Sequence, residues 1–328
     1  MNKMKAIIWT KYGPPDVLQL QEVEKPTPKN NEVCIKIHAT TVTAGDCEMR
    51  GMKVAKMFRY LMRIYIGLRK PKRITILGME LAGKIEAVGK DVILFKEGDE
   101  VFAAPDFNHL GTCKEYTCLP EESKEGLLAK KPTNMTYEEA AAVPVGGLEA
   151  LYFIGNGNVQ KQQKVLINGA GGTIGTFAVQ LAKYFGAEVT GVDSTDKLDM
   201  LRSIGADHVI DYTQEDFTKS EETYDVIFDV VGKRSLSNFK KPLKKNGLLL
   251  LANPKLSHYI RSRFSSMRVK VGTSNPKIED LMFLKELIEA GKIKSVVDRT
   301  YPLEDTAEAH RYVETGEKKG HVVIKIVG

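Results

Sequence analysis

The run Lys164-Val-Leu-Ile-Asn-Gly-Ala-Gly-Gly-Thr-Ile-Gly-Thr-Phe-Ala-Val-Gln-Leu-Ala-Lys183 holds the residues whose types and spacing best suit chemistry. Residues 165–168 read as a buried strand, the glycines as a tight turn, and 174–185 as a helix. The turn is Ala170-x-Gly172-x-x-Gly175, with alanine in place of a first glycine. Gly171 and Gly172 leave no side chain where a pyrophosphate would sit, and Gly175 lets the helix approach the sheet. The amides of the first helical turn, at Thr173 and Ile174, would face a phosphate, and the helix dipole adds to the attraction. A second strand at 188–192 ends in Asp193, 18 residues beyond Gly175. That is close to the roughly 20 expected of an acid that holds an adenosine ribose. The bland alternative is a strand-to-helix turn that binds nothing.

Such a turn needs a sheet behind it. Strands read near 165–168, 188–192, 208–211, 225–230, 247–252 and 267–271, with helices at 174–185, 195–203, 233–243 and 277–290. Parallel strands with crossover helices are the doubly wound α/β pattern, and six strands make two mononucleotide-binding halves. The first third is different. Segments 5–10, 18–23, 32–41, 83–88 and 101–104 alternate or are β-branched, with Gly, Pro and Asn between them. They read as a small, closed, antiparallel β domain. The last part, 293–328, returns to β character around a helix near 303–314 and is expected to complete that first domain. The expected division is a β-rich domain over 1–122, completed by 291–328, and a nucleotide-binding domain over 123–290.

Composition narrows the class. The chain has 328 residues and a net charge of +6, too small by itself to indicate nucleic acid as a partner. Met1 to Trp9 has too short an apolar run for a signal peptide, and no stretch reaches the ~18 apolar residues of a membrane span. Cys34, Cys47, Cys113 and Cys118 are scattered without a Cys-x-x-Cys pair, which suits reduced thiols. A cytoplasmic location is expected. The stretch Arg50 to Arg73 carries nine basic residues and no acid, with apolar residues at helical spacing, including Met57, Phe58 and Tyr65. It reads as a basic amphipathic helix: packed on the core, closing over a site, or touching a membrane surface.

At this point the chain resembles the medium-chain dehydrogenase/reductases, in particular their zinc-independent quinone oxidoreductase-like branch. The resemblance runs end to end. It is carried by Gly13-Pro-Pro-Asp-Val-Leu18, Leu77-Gly-Met-Glu-Leu-Ala-Gly83, Glu97-Gly-Asp-Glu-Val-Phe102, Ala140-Ala-Ala-Val-Pro144, Asn168 to Gly175, Leu201-Arg-Ser-Ile-Gly-Ala-Asp207 and Gly320-His-Val-Val-Ile-Lys325. It implies a GroES-like β-barrel domain carrying substrate groups, a Rossmann domain carrying NAD(P), and a homodimer paired through the strand near 267–271. Zinc-dependent relatives place a catalytic Cys at the position of Thr43 and a His at Met79. A thioether is a poor zinc ligand beside imidazole or thiolate, so no catalytic zinc is expected. The relatives' lobe of four close cysteines is absent too, so no structural zinc is expected.

Losing zinc selects the reaction. The ion is worth several kcal/mol to a developing alkoxide, so simple alcohol and ketone chemistry is disfavoured. A quinone or an α,β-unsaturated carbonyl spreads the charge into a phenolate or enolate, which a few hydrogen-bond donors can hold. The expected activity is NAD(P)H-dependent reduction of such acceptors. Thr43-Ala-Gly-Asp46 matches the family's active-site loop. Thr43 is a candidate donor to the nicotinamide ribose or the substrate oxygen, and Asp46 a candidate for orienting a water or a neighbouring side chain. Both residue types also cap loops. His38, His109 and His310 show no partner in the sequence and read as structural or surface histidines.

Asp193 favours a free ribose and NADH, whereas Ser194, Thr195, Lys197 and Arg202 suit the 2′-phosphate of NADPH. The resemblance tips the choice slightly to NADP(H) over NAD(H). It also puts Tyr212 near the adenine. Val230, Val231, Leu251 and Ala252 end strands whose carboxyl edge should face the cofactor. Two alternatives stay open: a zinc-free alcohol or aldehyde dehydrogenase, and a nucleotide-binding protein that docks on a membrane or nucleic acid through Arg50 to Arg73.

Overall fold

A computed structural model describes residues 3–53, 56–124, 126–272 and 274–326; the side chains of residues 56–58 also lie outside the described set. The first elements are β1 (Lys3–Trp9), β2 (Leu18–Glu24), β3 (Glu32–Val42), α1 (Ala44–Gly51), α2 (Lys56–Ile66), β4 (Leu81–Val88), β5 (Glu100–Ala104), β6 (Tyr116–Pro120), β7 (Leu127–Lys130), α3 (Tyr137–Ala141) and α4 (Pro144–Asn156). Then come β8 (Lys164–Asn168), α5 (Thr173–Tyr184), β9 (Glu188–Asp193), α6 (Leu198–Ser203), β10 (His208–Asp211), β11 (Tyr224–Asp229), β12 (Leu243–Leu251), α7 (Leu256–Ser262) and β13 (Arg268–Val271). The chain ends with α8 (Ile278–Glu289), β14 (Val297–Pro302), α9 (Thr306–Thr315) and β15 (His321–Lys325).

These elements fall into two compact units. One holds Met1–Val145, Lys277–Glu289 and Ser295–Gly328; the other holds Gly146–Pro276 and Ala290–Lys294. Residues 123–145 and 277–289, read from the sequence with the nucleotide domain, cluster with the first unit.

In the first unit, β1 and β2 make a two-stranded antiparallel sheet. The larger sheet runs β14-β15-β3-β4-β5-β7, and β6 pairs with β3. Its pairs are antiparallel except β14 with β15, which run parallel. Val33, Ile35, Ile37, Leu81, Ile85 and Val101 fill one buried cluster of this unit. Burying each such side chain contributes about 1.5–3 kcal/mol, which fixes the strands against slipping register.

The second unit is a six-stranded parallel sheet in the order β10-β9-β8-β11-β12-β13. Numbered within this unit the order is 3-2-1-4-5-6, the doubly wound arrangement whose ligand crevice lies where the order reverses, here between β8 and β11. Every residue of the β8 run Val165–Ile167 is fully buried, as expected of a strand covered on both faces.

Two expectations need correction. The helix expected over 233–243 is only a short 3-10 turn at Leu236–Phe239. Pro242 lacks an amide and disfavours helical backbone before it, so β12 starts at once. The basic stretch 50–73 is not one helix. Met52 takes the left-handed conformation (φ 49°, ψ 38°) and ends α1, so Arg50 and Lys53 lie outside α2. Arg50 is fully buried and donates to Glu314 Oε1 at 2.7 Å; Lys53 reaches the same oxygen at 2.7 Å. Within α2, Ile66 is buried and Met62 and Tyr65 pack on the core, but Tyr60, Leu61 and Ile64 are exposed, as is Leu68 beyond its end. The side chains of Lys56, Met57 and Phe58 fall outside the described residues. Among the described residues no helix is long and apolar enough to cross a membrane.

Candidate active site and cofactor cradle

Thr43 and Asp46 form a reciprocal capping box at the start of α1. Thr43 Oγ1 donates to Asp46 Oδ2 at 2.6 Å, and the Thr43 amide donates to the same oxygen at 2.9 Å. The Asp46 amide returns a bond to Thr43 Oγ1 at 3.1 Å. The other carboxylate oxygen, Oδ1, accepts from the Gly78 amide at 3.0 Å, tying α1 to the segment that leads into Met79. Asp46 is buried, and burial raises its pKa above the ordinary carboxyl value against the pull of these donors.

Next to this box Met79 Sδ lies 3.9 Å from Thr43 Oγ1. A hydroxyl already committed to a carboxylate, beside a thioether, is a donor set that does not fit zinc, which needs thiolate, imidazole or carboxylate. Among the described residues no group of three or more His, Cys, Asp or Glu is arranged to hold a metal.

Glu80 is a carboxylate that the sequence reading passed over. It is fully buried, accepts from Thr41 Oγ1, and takes the Val145 amide at 2.7 Å through Oε2. Burial pushes its pKa up to about 7, with the nearby Asp46 charge adding to the rise. A group poised at neutral pH next to a candidate site is of the kind used for proton handling.

In the second unit, α5 starts at Gly172, an N-cap with no side chain. Gly175 is forced by packing: a Cβ there would meet the Gly169 carbonyl oxygen at 2.2 Å and Ala170 Cα at 2.6 Å. Gly172 is different. A Cβ there would meet nothing closer than the Gly169 carbonyl oxygen at 3.6 Å, so the protein's own packing does not require glycine at this position. Together with the amides of Thr173 and Ile174 at a helix N-terminus, this cradle fits a dinucleotide pyrophosphate.

Asp193 is held inward. Its Oδ2 accepts from the Gly171 amide at 2.7 Å, Oδ1 accepts from the Ser194 amide at 3.0 Å, and Lys197 Nζ lies 3.2 Å from Oδ1. Both Asp193 and Lys197 are buried. The acid is thereby balanced by a cation inside the site. The Ser194 hydroxyl donates to Asp196, and Thr195 donates to Asp211. Tyr212 is 55% exposed, and its amide donates to the Asp193 carbonyl at 3.1 Å.

At the carboxyl edge, the Val230 amide donates to the Asn168 carbonyl at 3.0 Å, and the Ala252 amide to the Asp229 carbonyl at 3.1 Å. Val231 is exposed, whereas the Leu251 side chain is in the core and could offer only its backbone. Asp229 was also passed over in the sequence. It ends β11 fully buried, accepts Asn168 Nδ2 at 2.8 Å, and keeps a buried Oδ2 without a partner. Burial raises its pKa.

The histidines read as structural or surface residues make local contacts that the sequence did not show. His109 Nδ1 lies 2.8 Å from Asp106 Oδ1, His310 Nδ1 lies 3.2 Å from Cys47 Sγ, and His38 stacks on Tyr137 at 4.0 Å between centroids.

The alcohol dehydrogenase GroES-like domain family matches residues 29–152, and the zinc-binding dehydrogenase family matches residues 204–324. The chain is 33% identical to the 2-methylene-furan-3-one reductase of Solanum lycopersicum, over 98% of this chain and 79% of that protein. It is 32% identical to the chloroplastic NADPH-dependent alkenal/one oxidoreductase of Arabidopsis thaliana, over 98% of this chain and 80% of that one. The quinone oxidoreductase structure from Coxiella burnetii superposes with a TM-score of 0.87 at 26% identity, covering 99% of this chain and all of that one. The protein belongs to the medium-chain dehydrogenase/reductase superfamily, with a GroES-like domain and a Rossmann domain.

Proposed function

We propose that this protein is an NAD(P)H-dependent reductase of quinones or α,β-unsaturated carbonyls that works without zinc. The observation that supports the reading is the contact of Thr43 Oγ1 with Met79 Sδ at 3.9 Å, two side chains that the resemblance aligns with the metal ligands of zinc-dependent relatives. Relatives named as alkenal/one and furanone reductases, aligned over nearly the whole chain, support the same acceptor class.

The cofactor, when bound, supplies the hydride. Gly172, Thr173 and Ile174 hold its pyrophosphate, with Ala170, Gly171 and Gly175 shaping the turn. Val230, Val231, Leu251 and Ala252 border it at the carboxyl edge of the sheet. Ser194, Thr195, Lys197 and Tyr212 frame the adenosine end, and the inward pairing of Asp193 with Lys197 supports NADP(H) over NAD(H). In the first unit the Thr43 hydroxyl turns from Asp46 to the substrate oxygen as negative charge develops there. Asp46 is held meanwhile by the Thr43 and Gly78 amides, so the loop keeps its shape. An enolate or phenolate needs no stronger electrophile.

A cytoplasmic, homodimeric enzyme is part of this reading. The terminal position of β13 in the parallel sheet supports pairing with a second copy. The test is oxidation of NADPH and NADH against a panel of quinones, enones and simple aldehydes, with metal analysis of the same sample. Turnover confined to aldehydes, or one tightly held zinc per chain, would contradict it.

One observation favours a further contact. The exposed Tyr60, Leu61, Ile64 and Leu68, set among Arg and Lys without an acid between residues 50 and 73, suit an anionic membrane surface. Sedimentation with phosphatidylserine vesicles should fall on Ile64→Ser, and equal sedimentation of both proteins would exclude this contact.

A further inference from the structure

Cys34 on β3 and Cys118 on β6 stand directly opposite each other in register. On the same pair of strands the Ile37 amide donates to the Glu115 carbonyl at 2.8 Å. Just past the end of β6, the Glu121 amide donates to the Asn31 carbonyl at 3.1 Å in the same register. Bonded and non-bonded pairs alternate along an antiparallel ladder, so Cys34 and Cys118 are a non-hydrogen-bonded pair. Their Cα atoms are then about 4.5 Å apart with side chains on one face. Disulfides span roughly 4.4–6.8 Å between Cα atoms, so the strands need not move for the sulfurs to bond.

Both thiols are free, Cys34 buried and Cys118 partly exposed. The facing thiols act on each other: their pairing, with Lys25 adding, holds Cys34 below the ordinary thiol range against its burial, and together with burial raises Cys118 above that range. The remaining two cysteines contrast with them. Cys47 is buried against His310 and pushed up to about 12, and Cys113 is buried in the same apolar cluster and raised further.

We propose that Cys34 and Cys118 form an oxidisable dithiol site that hydroperoxides close into a cross-strand disulfide. One thiolate attacks the peroxide O–O bond, takes one oxygen as sulfenic acid and releases water, or an alcohol from an organic hydroperoxide. The facing thiol attacks that sulfur and expels the oxygen as a second water. Two thiols lose two electrons and two protons, and the peroxide gains them. Whichever sulfur takes the oxygen, the other already faces it. The site is nine residues along the chain from Thr43, roughly 30 Å of extended strand, so the bridge acts on the sheet and not on the loop at Thr43.

The test is titration of the reduced full chain with hydrogen peroxide, followed by alkylation of remaining thiols and peptide mapping without reductant. The expected result is loss of two of the four thiols, one linked peptide pair containing Cys34 and Cys118, and full reversal by dithiothreitol. The oxidised protein should melt at a higher temperature. In Cys34→Ser the linked peptide should vanish and Cys118 should advance to sulfinic acid. Three results would overturn the proposal: both thiols staying alkylatable, Cys118 passing to sulfinic acid in the unaltered chain without a link, or consumption of Cys47 or Cys113 first.

Discussion

The Gly171 amide donates to Asp193 Oδ2 at 2.7 Å, so the acid at the end of β9 is a strut under the glycine turn. It is charge-balanced by Lys197, 3.2 Å away on its other oxygen. A bare aspartate would repel a 2′-phosphate. A neutralised one leaves the choice to Ser194, Lys197 and Tyr212 around it.

Replacing Lys197 tests that choice. Lys197→Met should raise the KM for NADPH about 10- to 100-fold, equivalent to the ~1.5–3 kcal/mol of a charge-assisted hydrogen bond, and change that for NADH much less. Asp193→Ser should shift preference further to NADPH. An unchanged ratio in both variants would remove this pair from cofactor selection.

The capping box at Thr43 is both scaffold and proposed chemistry, and the two can be separated. Thr43→Ala should cost about 1 kcal/mol of stability by thermal melting, the worth of an N-cap. Asp46→Ala leaves the Thr43 and Gly78 amides buried without an acceptor and should cost about 3 kcal/mol. Thr43→Ser keeps cap and hydroxyl and should hold turnover within a few-fold. Thr43→Val should lose roughly 100-fold in kcat, in the range of an oxyanion donor.

Glu80 should make stability depend on pH. Its folded pKa is about 7 against 4.5 for an ordinary glutamate. Between those values the folded protein binds the extra proton, so stability falls as pH rises through them and levels above. The loss is on the order of 3 kcal/mol. Asp46, also raised by burial, adds a slope of the same sign. In Glu80→Gln, one amide oxygen can still accept from Val145 and the amino group can donate to Thr41, so denaturant midpoints should decline less between pH 5 and 8. An equal decline in both proteins would show that Glu80 does not titrate there.

Much of this was legible in the chain. The glycine spacing at 171–175 and the acid 18 residues on read correctly as strand, turn, helix and strand, because close packing at Gly175 excludes any larger side chain. Thr43-x-x-Asp46 was legible as a cap for the same local reason. What the sequence hid depends on contacts between distant segments. Glu80 and Asp229 look like ordinary surface acids until strand order buries them. The break at Met52 follows from one left-handed residue that no composition pattern marks. Cys34 and Cys118 lie 84 positions apart, and only the pairing of β3 with β6 brings them face to face.

The packing constraint at the turn should show as a stability effect alone. Gly175→Ala pushes a methyl into the Gly169 carbonyl and should lower stability by ~2 kcal/mol or more, read as a lower melting temperature. A melt unchanged from the parent would mean that the helix can retreat from the strand.

The most direct measurement is NADPH binding, by fluorescence titration, to metal-stripped protein with Gly172 intact and with Gly172→Ala. Gly172 has extended backbone and no protein atom within 3.6 Å of the added carbon, so the variant should fold and melt like the parent. The account predicts that the parent binds NADPH without metal and that the variant loses at least about tenfold in affinity, since the methyl occupies the pyrophosphate's place. Equal affinity in the two proteins, or binding that requires added zinc, would contradict it.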